Sequence, residues 1–220
     1  LDANTSGSNN VAVGQNSLGS NTTASSNTAV GYESLKANTT GSSNVAVGVT
    51  TLDANTTGSD NVALGNGALG SNTTASNNTA IGHEALTANT TGSSNTSVGK
   101  SSMATNTTGY SNTALGTSAL NANTTGNENV AIGRGALGSN TTAGNNTAVG
   151  YNALDSNTTG DLNVAIGGNA LTANIVGDRA VAIGYNSLQA QAPVSNTDTY
   201  NIAIGLNAMF NTTTGIQNVA

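Results

Sequence analysis

Few residues in this chain are equipped for chemistry, and they are dispersed. His83 is the only histidine and there is no cysteine, so a zinc site or a Ser-His-Asp triad would have to be built around one imidazole. Tyr32, Lys100, Arg134, Tyr151 and Tyr185 stand at whole multiples of one fixed interval from His83. A position that accepts such different side chains is an outward, solvated one. The acidic residues are scattered, without the repeated Asp pattern of calcium-binding glycine-rich repeats. Asp161 and Asp178 are the exception, separated by that same interval. They are expected to sit side by side, either around a cation or separated by solvent with the help of Arg179. No carboxylate pair is set up for acid–base work, and no catalytic, cofactor-binding or metal-binding residue is assigned. The expectation is a non-enzymatic protein without cofactor.

Three other patterns admit a binding chemistry. Ten Asn-Thr-Thr strings match the N-glycosylation acceptor, but Asn and Thr are also what a tight turn uses, because their side chains bond to nearby backbone. The Thr-Thr pairs suggest an ice-binding face. Adjacent strand residues point opposite ways, however, so each pair offers one outward rank where an ice lattice calls for a broader array. The outward Tyr32, Tyr151 and Tyr185 are suited to stacking on sugars.

The composition narrows what can hold these residues. Only 6% of the 220 residues are charged, with four basic against ten acidic and a net charge of -6. No basic stripe exists to neutralise phosphates, so nucleic acid is not an expected partner. Aromatic residues make up 3%, with one Phe and no Trp, so the core must be thin. No apolar run approaches the roughly 20 residues of a membrane-spanning helix, and no membrane insertion is expected within this segment.

The chain is a repeat. A glycine closes each "NVAVG"-like run at Gly14, Gly31, Gly48, Gly65, Gly82, Gly99, Gly116, Gly133, Gly150, Gly167 and Gly184, evenly spaced throughout, and the next one, Gly205, comes after a longer interval. That column has no exception, which fits a bend needing positive φ or a backbone approach that excludes a Cβ. The glycine after Asn-Thr-Thr is replaced by Ala24, Ala75 and Ala143, so positive φ cannot be obligatory there. The Val13 column (Val30, Val47, Leu64, Ile81 and so on) and the Leu or Met five residues later are expected to form the core. Ala12 and its equivalents lie between apolar neighbours and point the other way, which suggests a second close contact with another strand or another chain.

A helical repeat is excluded, since every unit carries Gly and β-branched residues, most carry a Thr-Thr pair, and strong helix formers are scarce. Collagen needs glycine at every third residue with abundant proline, and the chain has one proline. A disordered chain would not keep fixed apolar columns. The remaining reading is an all-β parallel β-solenoid of 17-residue coils, two short strands to a coil, stacked about 4.8 Å apart into a rod of about thirteen coils and roughly 60 Å. Stacking turns columns into ladders. Asn10, Asn27, Asn44, Asn61, Asn78, Asn95, Asn112, Asn129, Asn146 and Asn163 are expected to form one ladder of amide hydrogen bonds, and the column of Asn21, Asn38 and Asn55 another. Residues 1–188 carry the regular repeat. Residues 189–200 ("QAQAPVSNTDTY", including Pro193) hold four extra residues and are expected to leave the rod as a loop, the kind of feature that often carries binding. Residues 201–220 are the last, incomplete repeats, and the segment reads as a piece of a longer fibre.

"NVAIG" (Asn129–Gly133 and Asn163–Gly167) and "NTAVG" (Asn27–Gly31) resemble the head repeats of YadA-like trimeric autotransporter adhesins. The longer unit "NTAVGYESLKANTTGSS" (Asn27–Ser43) is similar to repeats of phage tail fibres and related bacterial surface proteins that end in an intramolecular chaperone domain. The resemblance covers essentially the whole chain. It implies a parallel homotrimer of left-handed β-rolls, although the unit here is longer than the usual adhesin head repeat and these 220 residues are not expected to hold a coiled-coil stalk, anchor or chaperone domain. The function expected is a structural fibre segment on a virion or cell surface, a rigid spacer and a surface for a glycan or protein receptor. Two other classes stay open: an ice- or glycan-binding module, and a self-assembling extracellular matrix filament.

Overall fold

The computed structural model describes residues 1–220 and is all-β, with no helix. It comprises two compact units, Leu1–Tyr110 and Ser111–Ala220. The first holds β1 (Val11–Val13), β2 (Thr28–Val30), β3 (Val45–Val47), β4 (Val62–Leu64), β5 (Thr79–Ile81) and β6 (Thr96–Val98). The second holds β7 (Thr113–Leu115), β8 (Val130–Ile132), β9 (Thr147–Val149), β10 (Val164–Ile166), β11 (Gly177–Asp178), β12 (Val181–Ile183), β13 (Thr197–Asp198) and β14 (Ile202–Ile204).

Within each unit the strands pair in parallel and in register with the next copy, Ala29 against Ala46 and Ala46 against Ala63 in the first, Ala131 against Ala148 and Ala148 against Ala165 in the second. Each unit is therefore a β-solenoid of 17-residue coils. The one longer interval keeps the register as well, with Ala182 against Ala203.

Two expectations need correction. A regular coil contains one three-residue strand, not two. The rest of the coil cannot stay extended because left-handed residues interrupt it, for example Asn16, Leu18 and Ser26 at φ 58, 48 and 61°. The second correction concerns the core. The Leu and Met column is fully buried from Leu18 to Leu188, but the Val13 column is outside: Val13, Leu64 and Ile166 are 57, 44 and 39% exposed, while Ala29, Ala63 and Ala165 are at 0%. The close contact that keeps this residue small is with the interior of its own coil. One leucine or methionine per coil, the strand alanine, a second small residue such as Ala68 or Ser34, and the asparagines fill that interior. Little room is left opposite the strand, so the methyl goes in and the branched side chains go out.

Placing the large side chain inward has a conformational cost. The Leu and Met residues of this column all lie at φ between 48 and 55°, a region that disfavours side chains other than Gly, Asn or Asp by about 1–2 kcal/mol. Burying a leucine returns about 1.5–3 kcal/mol, so the strain is offset only because the side chain is fully enclosed. Two residues earlier the strain has no such offset. Thr50, a β-branched residue only partly buried, sits at φ 48° in a column where Asn16, Asn152 and Asn169 adopt the same conformation. Thr50→Asn is expected to stabilise the protein by about 1 kcal/mol, because asparagine tolerates the left-handed region better, and urea denaturation followed by circular dichroism checks it.

Candidate functional site

The interior of the coil is polar as well as apolar, and its polar atoms are consumed by structure. In the Asn21 column the amides bond directly to one another: Asn38 donates to Asn21 at 3.2 Å, Asn55 to Asn38 at 2.9 Å and Asn72 to Asn55 at 2.9 Å. The second unit repeats this with Asn140 to Asn123, Asn157 to Asn140 and Asn174 to Asn157. The Asn10 column works mainly through backbone. Asn27 Oδ1 accepts the Asn44 N–H at 2.9 Å and its Nδ2 donates to the Gly41 carbonyl at 2.9 Å, and Asn146 does the same with Asn163 N–H and the Gly160 carbonyl. The other members, Asn10, Asn44, Asn61, Asn78, Asn95, Asn112, Asn129 and Asn163, likewise donate to the carbonyl 14 residues on. No buried side-chain nitrogen or oxygen is left without a partner.

This burial bears on the glycosylation pattern. In nine of the ten Asn-Thr-Thr strings the asparagine is fully buried, from Asn21 to Asn157, and only Asn211 is exposed. In the regular coils the first threonine is committed too, as where Thr56 Oγ1 donates to the Thr73 carbonyl at 3.0 Å, and only the second threonine faces out. The glycines of the Gly14 column have φ from 126 to 144°. At most of them a Cβ would stand within 3 Å of backbone of the next coil.

Asp161 and Asp178 do lie in successive coils, and their carboxylates point at backbone. Asp161 Oδ1 accepts the Gly144 N–H at 2.6 Å and Asp178 Oδ1 accepts the Asp161 N–H at 2.7 Å. Serines fill the same role in the first unit, where Ser25 Oγ accepts the Ser8 N–H and Ser59 Oγ that of Ser42. Arg179 pairs instead with Asp198, which also accepts the Tyr200 hydroxyl. No group of three or more His, Cys, Asp or Glu side chains converges as a metal site would require. His83 lies beside Glu84, Nδ1 to Oε2 3.6 Å, with both side chains half exposed.

Partial burial pushes the carboxyls of Asp53, Asp155 and Asp178 above their ordinary value. For Asp155 burial is the only cause, whereas Asp178 is also raised by the charges of Asp161 and Asp198. A carboxyl whose folded pKa is raised binds its proton more tightly in the folded state. Its contribution is therefore most favourable below the unfolded pKa of about 3.9 and is lost as pH rises through the folded value. Asp155→Asn is expected to be more stable than the parent at pH 7, with the difference vanishing near pH 3, as measured by urea midpoints at both pH values.

The outward columns remain. Beside each buried strand alanine stand two exposed or half-buried residues, Val45 and Val47 at one copy, Val62 and Leu64 at another, Val164 and Ile166 in the second unit. Past the bend glycine come Tyr32, Tyr151 and Tyr185, exposed by 45, 47 and 54%. One residue further on, the second unit places Asn152, Asn169, Asn186 and Asn207 in consecutive coils, a row that the reading of the sequence did not single out. At the insertion Gln191 is fully buried and takes the place of a ladder asparagine, accepting from Asn201 Nδ2 at 2.8 Å. Pro193 packs near Gly177, β11 pairs with β13, and Val194, Ser195 and Asn196 form the exposed tip.

These observations define a β-solenoid repeat protein. Comparison of the chain with protein-family models, curated proteins and solved structures gave no match.

Proposed function

We propose that this chain is a non-enzymatic structural segment of an extracellular fibre, of the phage tail-fibre or bacterial surface-adhesin kind, working as a rigid spacer in a parallel homotrimer. The observation that carries the reading is the outward apolar column: in nearly every strand the two larger residues are exposed or half-buried while the small residue between them is buried. Water-facing valine, leucine and isoleucine repeated at every coil are a burial surface for another copy of the same repeat. The number three comes from the resemblance of "NTAVGYESLKANTTGSS" to trimeric fibre repeats. Stacked amide ladders and short turns supply stiffness, and few loops stand out for proteases. A surface position on a virion or cell follows from the same resemblance.

Light scattering tests the proposal directly. A mass of three chains, with a β-rich circular dichroism spectrum, is the expected result, and a folded monomer overturns it. A companion variant separates assembly from coil formation. Ile132→Asp, on the outward face of β8, is expected to reduce the trimer to monomers while leaving the spectrum of the coil, whereas Leu137→Ala, in the interior of the following turn, is expected to destabilise the coil itself by about 2–5 kcal/mol.

A further inference from the structure

We propose that the Ser111–Ala220 unit carries a binding surface for an extended, neutral, β-linked oligosaccharide, laid along the stacking direction of its coils over Tyr151 and Tyr185. The two tyrosines occupy the same column two coils apart, with Gly168 between them, a ring spacing of about 10 Å for coils about 4.8 Å apart. Each ring rests against a residue of the preceding coil, Tyr151 with one face under the Arg134 guanidinium and Tyr185 beside Gly168, which leaves the other face for a sugar. The Arg134 guanidinium carbon lies 4.8 Å from the Tyr151 ring centroid, and Arg134 Nη2 donates to the Tyr151 hydroxyl at 2.9 Å. A Cβ at Gly168 would stand 3.2 and 3.4 Å from two ring carbons of Tyr185, so the missing side chain is what lets that ring rest against the neighbouring coil.

The apolar C–H face of a pyranose packs on such a ring, and its edge hydroxyls need amide partners. Those partners run alongside. Asn169 donates to Asn186 at 3.3 Å and Asn186 to Asn207 at 3.2 Å, so Asn152, Asn169, Asn186 and Asn207 offer one partly exposed amide per coil. An extended β-linked pyranose chain advances by close to one coil spacing per ring, which would place every second sugar over a tyrosine and every sugar beside an amide. The first unit lacks the combination: Tyr32 stands between Gln15 and Val49, and the amide column there reads Asn16, Glu33, Thr50, Gly67, Glu84 and Ser101. The surface goes beyond a spacer role, and its use requires that Tyr151 and Tyr185, two residues past the outward Val149 and Ile183, face away from the other chains.

Isothermal titration of the full chain with cellohexaose and with chitohexaose tests it. Saturable binding of at least one is expected, weakened at least about tenfold by Tyr151→Ala or Tyr185→Ala and unchanged by Tyr32→Ala. All three rings are exposed, so circular dichroism and light-scattering mass should match the parent and show that any loss belongs to the surface. Absence of binding to both sugars, or parent-like binding by the Tyr151→Ala and Tyr185→Ala variants, overturns the proposal.

Discussion

Asn72→Asp is expected to destabilise the first unit by roughly 3–5 kcal/mol at pH 7, although it changes one atom. Asn72 Nδ2 donates to Asn55 Oδ1 at 2.9 Å and to the Ala75 carbonyl at 3.0 Å, while its Oδ1 accepts from Asn89 at 3.0 Å. The residue is fully buried. An ionised carboxylate there would aim a negative oxygen at two acceptors with no water to intervene. Asn72→Ala should cost less, roughly 2–4 kcal/mol, since it orphans the Asn55 oxygen while Ala75 and Asn89 keep other partners, Asn61 Nδ2 and the Gly92 carbonyl. The aspartate variant should also regain stability on acidification. Protonated, it donates to Asn55 again, so its folded pKa is raised and the penalty fades as pH falls through that value. Urea denaturation at pH 7 and pH 4 measures both. Parent-like stability of Asn72→Asp at pH 7 would mean that the amides do not form the ladder.

Gly82→Ala is expected to cost roughly 3 kcal/mol or more. Gly82 lies at φ +135°, and a Cβ would stand 2.6 Å from the Gly99 carbonyl oxygen, 2.7 Å from its carbon and 3.2 Å from the Lys100 nitrogen. All three are backbone atoms of the next coil, so no rotamer change relieves the overlap. Gly67→Ala is the control. Gly67 is at φ +66° with nothing nearer than the Glu84 Cγ at 3.7 Å, in a column where asparagine, serine and glutamate adopt the same backbone. Its cost should be about 1 kcal/mol. Equal midpoints for the two alanine variants would remove the distinction between a steric requirement and a conformational preference.

Much of this was legible in the residues. The constant interval between glycines implied stacked coils, and the recurrence of asparagine at two fixed places implied ladders, because only stacking gives a polar side chain the same partner in every copy. The polar Tyr, His, Lys and Arg column read as outward, and Tyr32, Tyr151 and Tyr185 are exposed. The row of Asn152, Asn169, Asn186 and Asn207 was visible as letters but carried no signal of its own, since asparagine is common throughout and its left-handed backbone was not evident. Gln191 stands one regular interval after Asn174, but glutamine occurs once in that column, so its bonds to Asn201 and Thr199 had no repeat to announce them.

Alternation in "TAV" or "VAI" requires the alanine to face away from its neighbours, and hydrophobicity alone puts the larger residues inside. Only the tertiary structure chose the reverse. A short coil interrupted by left-handed turns encloses a space that the leucine and the asparagines nearly fill, so the strand can turn only a methyl toward it. The sequence by itself determined the period, the register, the ladders and the invariant bend, because these depend on what each residue does in every copy. Which face of the strand is the interior depends on how far apart the opposite walls stand, a distance set by the whole closed coil rather than by any local stretch. That distance leaves the apolar columns of Val13 and its equivalents outside.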